Sequence, residues 1–248
     1  MQCLILKKKQ MKRLLSLTFI TLLLAVSSSS CAQTRQATDK FDVSDFTTIE
    51  TSVAANIHIR QSSTTQVTAE GSEELLNALD VRMDNGKLVL EMKKTFLKRF
   101  GNRANKLVIS IATPTLSRID SEGVGNIVID GTFSTPSLHI QSDGVGNFTA
   151  ENLRCDEVKI DSEGVGNITL RGTAGNVEIR SEGVGNVNAD GLKAKRAVVS
   201  SQGVGNVSCH ASEYLKVRSD GIGNVRYYGN PAEKEFSKDG IGKIKAGN

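Results

Sequence analysis

Ser121-Glu-Gly-Val-Gly-Asn-Ile127 is the first of seven copies of one heptapeptide. It recurs as Ser142-Asp-Gly-Val-Gly-Asn-Phe148, Ser162-Glu-Gly-Val-Gly-Asn-Ile168, Ser181-Glu-Gly-Val-Gly-Asn-Val187, Ser201-Gln-Gly-Val-Gly-Asn-Val207 and Ser219-Asp-Gly-Ile-Gly-Asn-Val225, and closes degenerate as Lys238-Asp-Gly-Ile-Gly-Lys-Ile244. Successive copies start 21, 20, 19, 20, 18 and 19 residues apart. About twenty residues cannot bury an apolar face alone but can do so when stacked on like units, which is the signature of a solenoid. The fold class is therefore all-β: a single-stranded parallel β-helix of about twenty-residue coils. The handedness of parallel crossovers points to a right-handed form; a flattened or left-handed solenoid is the alternative.

Within the heptapeptide, Val124 and Ile127 each head an apolar column. Residues three apart in a strand face opposite sides, so a bend at the intervening Gly-Asn is expected to turn both columns inward, since Gly and Asn best tolerate positive φ. Alternation then continues inward at Ile129, Ala150, Leu170, Ala189, Cys209, Tyr227 and Ala246. A variable turn follows, such as Asp130-Gly-Thr-Phe-Ser-Thr-Pro136, and a return strand brings in Leu138 and Ile140, Val158 and Ile160, Val177 and Ile179, Leu215 and Val217. Cys155 and Cys209 fall nearly three coils apart, roughly 13 Å at the usual strand spacing, beyond the reach of a disulfide. Both are expected to be free thiols, with Cys209 in the core.

Upstream, residues 31–40 are polar and read as a tether, while 41–112 carry strand patterns without the glycine heptapeptide. Ser72 before Glu73 and Glu74 predicts a short capped helix, and Asp84-Asn-Gly-Lys87 predicts a hairpin. This segment is expected to begin and cap the solenoid ahead of the regular repeats over 113–248, because a bare first coil leaves unpaired strand edges. At the other end, Lys238, Lys243 and Lys245 defend an open edge; a second copy pairing there is the competing reading.

Residues 1–30 read as a lipoprotein-type export signal. Met11-Lys12-Arg13 precedes an apolar run from Leu14 to Val26, too short to span a bilayer comfortably. Ser27-Ser28-Ser29-Ser30 then leads into Cys31, a pattern that resembles a lipobox, although Ser28 stands where Leu is usual. Cys31 is thus the expected lipidation site and membrane anchor; ordinary cleavage with Cys31 incidental is the alternative, and Met11 is an alternative start. Removing the five basic groups of this segment leaves 26 basic against 27 acidic residues. With no Trp and few aromatics, the mature chain lacks the charge and stacking platforms of a nucleic-acid binder.

The repeated Gly-Val-Gly-Asn and Gly-Ile-Gly-Asn corners, the opening pattern of Phe46, Ile49, Val53 and Ile57, and Thr113-Pro-Thr-Leu116 before the first repeat resemble the family described as putative auto-transporter adhesin, head GIN domain, over roughly residues 41–248. The resemblance implies an exported or lipid-anchored solenoid without enzymatic residues.

Four groups of residues could carry chemistry. The acidic column Glu122, Asp143, Glu163, Glu182, Asp220 and Asp239, broken by Gln202, reads as a solvated turn column; calcium between coils is the sharper alternative, but the aspartate ladder of calcium-binding solenoids is lacking. Asn126, Asn147, Asn167, Asn186, Asn206 and Asn224 are expected to stack as a structural amide ladder. Lys93, Lys94, Lys98, Arg99, Arg103 and Lys106 form a basic cluster that could meet an anionic lipid or glycan, or be a solvated loop. His58, His139 and His210 are too scattered in repeat phase for a metal site, and no cofactor is expected. The sequence therefore predicts a non-catalytic envelope adhesin or scaffold, with an envelope glycan or protein as partner. The alternatives are a periplasmic sensor or assembly partner and, less well supported by such uniform coils, a polysaccharide-degrading β-helix.

Overall fold

Stacked heptapeptides organise this computed structural model, which describes residues 36–93 and 107–247. The solenoid has about six turns and is nearly all strand. Its regular part runs through β-strands that pair in parallel with the coil before and after. In chain order the strands and helix of the N-terminal part are β1 (Gln36–Phe41), β2 (Thr48–Thr51), β3 (Asn56–Gln61), β4 (Gln66–Ser72), α1 (Glu73–Ala78), β5 (Leu79–Asp84), β6 (Lys87–Met92) and β7 (Val108–Thr113). The coils follow as β8 (Arg118–Ser121), β9 (Ile127–Ser142), β10 (Phe148–Ser162), β11 (Ile168–Ser181), β12 (Val187–Ser201), β13 (Val207–His210), β14 (Tyr214–Ser219), β15 (Val225–Tyr228), β16 (Glu233–Lys238) and β17 (Ile244–Ala246).

The register is the one the repeat demands. Ile57, Ile127, Phe148, Ile168, Val187, Val207, Val225 and Ile244 are successive partners in one ladder. On the return strands Ile119, Ile140, Ile160, Ile179, Val199, Val217 and Phe236 form another. From Ile119 to Val217 this second row is buried, and each such side chain contributes about 1.5–3 kcal/mol by leaving water. The period thus places like residues on like residues.

Two expectations are corrected. The valine column does not turn inward: Val124, Val145, Val165, Val184, Val204 and Ile222 are 48–53% exposed and Ile241 71%. Simple two-residue alternation persists through the corner, so 122, 124 and 126 face out while 121, 123, 125 and 127 face in. The inner positions are glycine because the coils approach closely there. A Cβ on Gly144 would sit 2.1 Å from the Gly123 carbonyl oxygen, and one on Gly146 1.7 Å from that of Gly125. The expected variable turn is also a third wall of the coil. Phe133, Leu153, Gly172 and Leu192 stack in register across it, with Phe133, Leu153 and Leu192 buried. Beside them run Thr135, Cys155, Ala174 and Ala194.

The N-terminal part caps the solenoid. β6 and β7 lie parallel to β2 and β3 and extend the stack. Antiparallel strands then close it: β5 covers β6, β4 covers β7, and β1 covers β4. β1 lies partly inside the segment expected as a tether, so residues from Gln36 belong to the cap. The Ser72 hydroxyl accepts the Leu75 N–H at 3.4 Å, and α1 buries Leu75, Leu76 and Ala78. The Asn85-Gly86 hairpin has positive φ at both residues, as its turn type requires. At the opposite end the inward columns run out: β16 is exposed throughout, and Lys234 and Phe236 stand where Leu215 and Val217 stood one coil earlier.

Candidate functional site

The corner builds a continuous polar rail. Each asparagine Oδ1 accepts two hydrogen bonds from the next coil, one from the backbone N–H and one from Nδ2 of the following asparagine. For Asn167 on Asn147 both are 3.1 Å, and for Asn206 on Asn186 they are 3.0 and 3.2 Å. The chain of amides runs Asn126, Asn147, Asn167, Asn186, Asn206, Asn224, and the Lys243 N–H ends it on Asn224 at 3.1 Å. Asn56 begins it, holding both donors of Asn126 at 3.2 Å. Thr51-Ser-Val-Ala-Ala-Asn-Ile57 is therefore an eighth, disguised copy of the heptapeptide. Val53 and Ala55 stand in place of its glycines, which hides the copy from the repeat pattern. Each amide spends one Nδ2 hydrogen inside the rail and keeps a second for an outside acceptor.

Two residues from that rail runs the valine ridge, joined coil to coil by parallel bridges from Ala54 to Ile241. Two residues further lies the acidic column. Among the described residues no group of three or more His, Cys, Asp or Glu side chains is placed to hold a metal.

A polar groove of about 520 Å³ lies beside the rail on the later coils, lined among others by Asn188, Asp190, Ser208, Arg226 and Tyr228. Asn188, Ser208 and Arg226 stack on its floor, and the Ser208 hydroxyl donates to Asp190 at 3.0 Å. In earlier coils two nearby outward pairs form: His58 with Asp130 at 2.9 Å and Arg171 with Glu151 at 2.9 Å. In the groove, Asn188 and Arg226 have no side-chain partner among the described residues. The groove leaves no mark in the sequence because it comes from stacking dissimilar residues in one column.

Stacking also assembles a network on the return-strand face. His139 sits between Arg118 and Asp161, with Nε2 2.6 Å from an Asp161 carboxylate oxygen and Nδ1 accepting from Arg118. Lys159 reaches the same oxygen of Asp161 at 3.1 Å. Partial burial of Asp161 works against its charge, but the hydrogen bonds from His139 and Lys159 outweigh it and hold the carboxyl below its ordinary value. A histidine backed by a carboxylate is the geometry of a general base. Here, however, neither ring nitrogen is left to take a substrate proton.

Both described cysteines are free. Burial pushes the Cys155 thiol up to about 11 and the Cys209 thiol up to about 12, so neither is a nucleophile near neutrality. Of the basic cluster, only Lys93 is among the described residues. Its Nζ donates to the Asn77 carbonyl at 2.8 Å and its backbone N–H to the Ala78 carbonyl, which satisfies the C-terminal end of α1. Lys94, Lys98, Arg99, Arg103, Lys106 and the lipidation candidate Cys31 lie outside the described residues.

The uniform glycine corners, the amide rail and the parallel register coincide with one known pattern. The family model described as putative auto-transporter adhesin, head GIN domain, matches residues 45–231. This chain belongs to that family. The GIN-domain chain is 33% identical to a putative adhesin from Bacteroides fragilis NCTC 9343, whose crystal structure superposes with a TM-score of 0.80 over 86% of this chain and 97% of that one. A putative adhesin from Parabacteroides merdae ATCC 43184 shares the fold at 20% identity and a TM-score of 0.60, covering 87% of this chain and 98% of that one. A protein from Parabacteroides distasonis ATCC 8503 described as a putative lipid binding protein shares it at 19% identity and a TM-score of 0.64, again over 87% and 98%. No curated protein matches the GIN-domain chain. The adhesin-type relatives suggest an exported or cell-surface protein and a non-enzyme.

Proposed function

We propose that this chain is a non-catalytic, adhesin-like protein of the cell envelope, anchored by a lipid on Cys31, that offers a rigid surface to an envelope glycan. The observation that carries the reading is the groove over the later coils. Its polar groups, Asn188, Asp190, Ser208 and Arg226, converge on one cavity, whereas the column of Asn188 carries Val128, Thr149 and Thr169 in the earlier coils. Amide, carboxylate and guanidinium groups side by side suit the alternating donors and acceptors of sugar hydroxyls, and Tyr228 at the rim offers a ring face. A stacked solenoid presents such a groove without the ordering cost that a flexible loop would incur. Both ring nitrogens of His139 are engaged, which supports the non-catalytic reading.

The test is binding of the purified chain to immobilised neutral and acidic oligosaccharides, compared with Arg226→Ala and Asp190→Ala. Saccharide binding that both substitutions abolish, with no turnover of the bound sugar, supports the reading. Binding that survives both, or hydrolysis of the sugar, overturns it.

A further inference from the structure

A row of half-exposed valines and isoleucines is an unusual thing to leave in water. From Val124 to Ile241 the ridge presents seven β-branched side chains, one per coil. At the usual strand spacing of about 4.8 Å the row is about 29 Å long. Scattered apolar residues on a surface need no explanation, but a contiguous row marks an interaction site. The fold does not need valine there. The inward positions of the corner are held by glycine, and the ridge side chains point away from the core. A polar residue at this position would leave the hydrogen-bonded bridges between coils intact.

We infer that the ridge is a self-association surface, and that its occupant is the ridge of a second copy of this chain, packed side by side in parallel and in register. Three features select that partner. First, period: a row of side chains spaced by strand stacking is matched knob for knob by another solenoid of the same rise. Second, charge fixes the orientation. On one side of the ridge stands the acidic column Glu122, Asp143, Glu163, Glu182 and its continuation; on the other stands the amide rail. A two-fold axis parallel to the solenoid axis sets each carboxylate column against the partner's asparagines, whose second Nδ2 hydrogens are unspent. The antiparallel arrangement sets carboxylates against carboxylates, which is unfavourable. Third, the same acidic column argues against a bilayer as occupant, because it would bring a file of carboxylates against lipid headgroups. The contact is narrow compared with obligate interfaces, so the dimer is expected to be concentration-dependent.

The test uses the purified chain. Light scattering should show its mass rising from one chain toward two as concentration increases through the micromolar range. Val165→Glu combined with Val184→Glu should weaken self-association roughly tenfold or more, as loss of central apolar contacts does, with an unchanged circular dichroism spectrum. Orientation is read separately. In a chain whose Cys3 and Cys31 are replaced by serine, Val165→Cys should cross-link to itself with a short bis-maleimide, because the two-fold brings position 165 against its own copy across a face-to-face contact about 10 Å wide. Cys155 and Cys209, whose thiols burial keeps protonated, should not react, and the background without Val165→Cys should stay uncross-linked. A chain that remains monomeric at high concentration overturns the proposal. So does a dimer untouched by the glutamate pair, a dimer in which Val165→Cys fails to couple, or capture of the ridge by phosphatidylcholine–phosphatidylglycerol vesicles in place of self-association. Saccharide binding by the groove is independent of all these outcomes.

Discussion

Substituting Gly185 by alanine tests whether inter-coil distance at the corner dictates the glycine columns. Gly185 has φ of +148° and lies directly against the preceding coil: an added Cβ would be 1.7 Å from the Gly166 carbonyl oxygen and 2.7 Å from its carbon. The side chain must hold an unfavourable backbone conformation, at about 1–3 kcal/mol, and the coils must also part to relieve the clash. Parting strains the bonds that fasten them beside the clash: the Gly166 N–H to the Val184 carbonyl at 3.0 Å, the Val184 N–H to the Gly164 carbonyl at 2.9 Å and the Ile168 N–H to the Asn186 carbonyl at 2.9 Å. Each is worth about 1 kcal/mol net. Together the loss should be about 4–6 kcal/mol, in the range reserved for severe defects. Gly131 is the internal control: its φ is +73° but nothing lies within 4 Å of the place an alanine methyl would take, so Gly131→Ala should cost only about 1–2 kcal/mol of left-handed strain. Urea denaturation followed by far-ultraviolet circular dichroism measures both. Equal losses for the two variants would show that backbone conformation alone, and not the closeness of the coils, selects glycine.

Other outcomes follow from the same geometry. Asn167→Asp replaces the donor to Asn147 Oδ1 with an oxygen, so it should destabilise the chain by about 1–2 kcal/mol at neutral pH. The folded state raises that carboxyl's pKa, so the deficit should shrink as acid restores a proton, and melting temperatures measured from pH 7 down to pH 3 check the sign. Asp161→Asn should lower the melting temperature at pH 7 and have little effect in strong acid. The folded-state carboxyl is depressed, and its stabilisation is present above the ordinary value of 3.8 and lost as pH falls through the folded value. Iodoacetamide at pH 8 should label Cys209 far more slowly than the same thiol in the urea-unfolded chain, since burial pushes it up to about 12; rapid labelling in the folded state would contradict its place in the core.

Much of the fold is legible because a solenoid converts sequence period directly into spatial neighbours. The asparagine rail and the inward return-strand pairs such as Val158 and Ile160 follow from spacing alone, as does the placement of Cys209. Less legible were features whose partners are similar in position but not in identity. Asn56 belongs to the rail, yet its corner carries Val53 and Ala55, both buried, in place of the two glycines. Phe133 and Leu153 are core residues inside what reads as a loop, because Gly131 and Pro136 around the one and the polar Glu151, Asn152, Arg154 and Asp156 around the other imitate turn chemistry while the wall remains hydrogen-bonded. The groove and the His139–Asp161 pair join residues of unlike type from successive coils, which no motif search compares.

The sequence by itself determined which residues lie above one another, since a period near twenty leaves one register in which all the apolar columns and all the glycines agree. Only the tertiary structure decided which side of each corner faces the core. The two assignments have the same period and differ in how closely neighbouring backbones approach, a distance set by stacking. With coils close enough that a carbonyl oxygen occupies the place of a Cβ, the glycines must be inside and the valines must face the water.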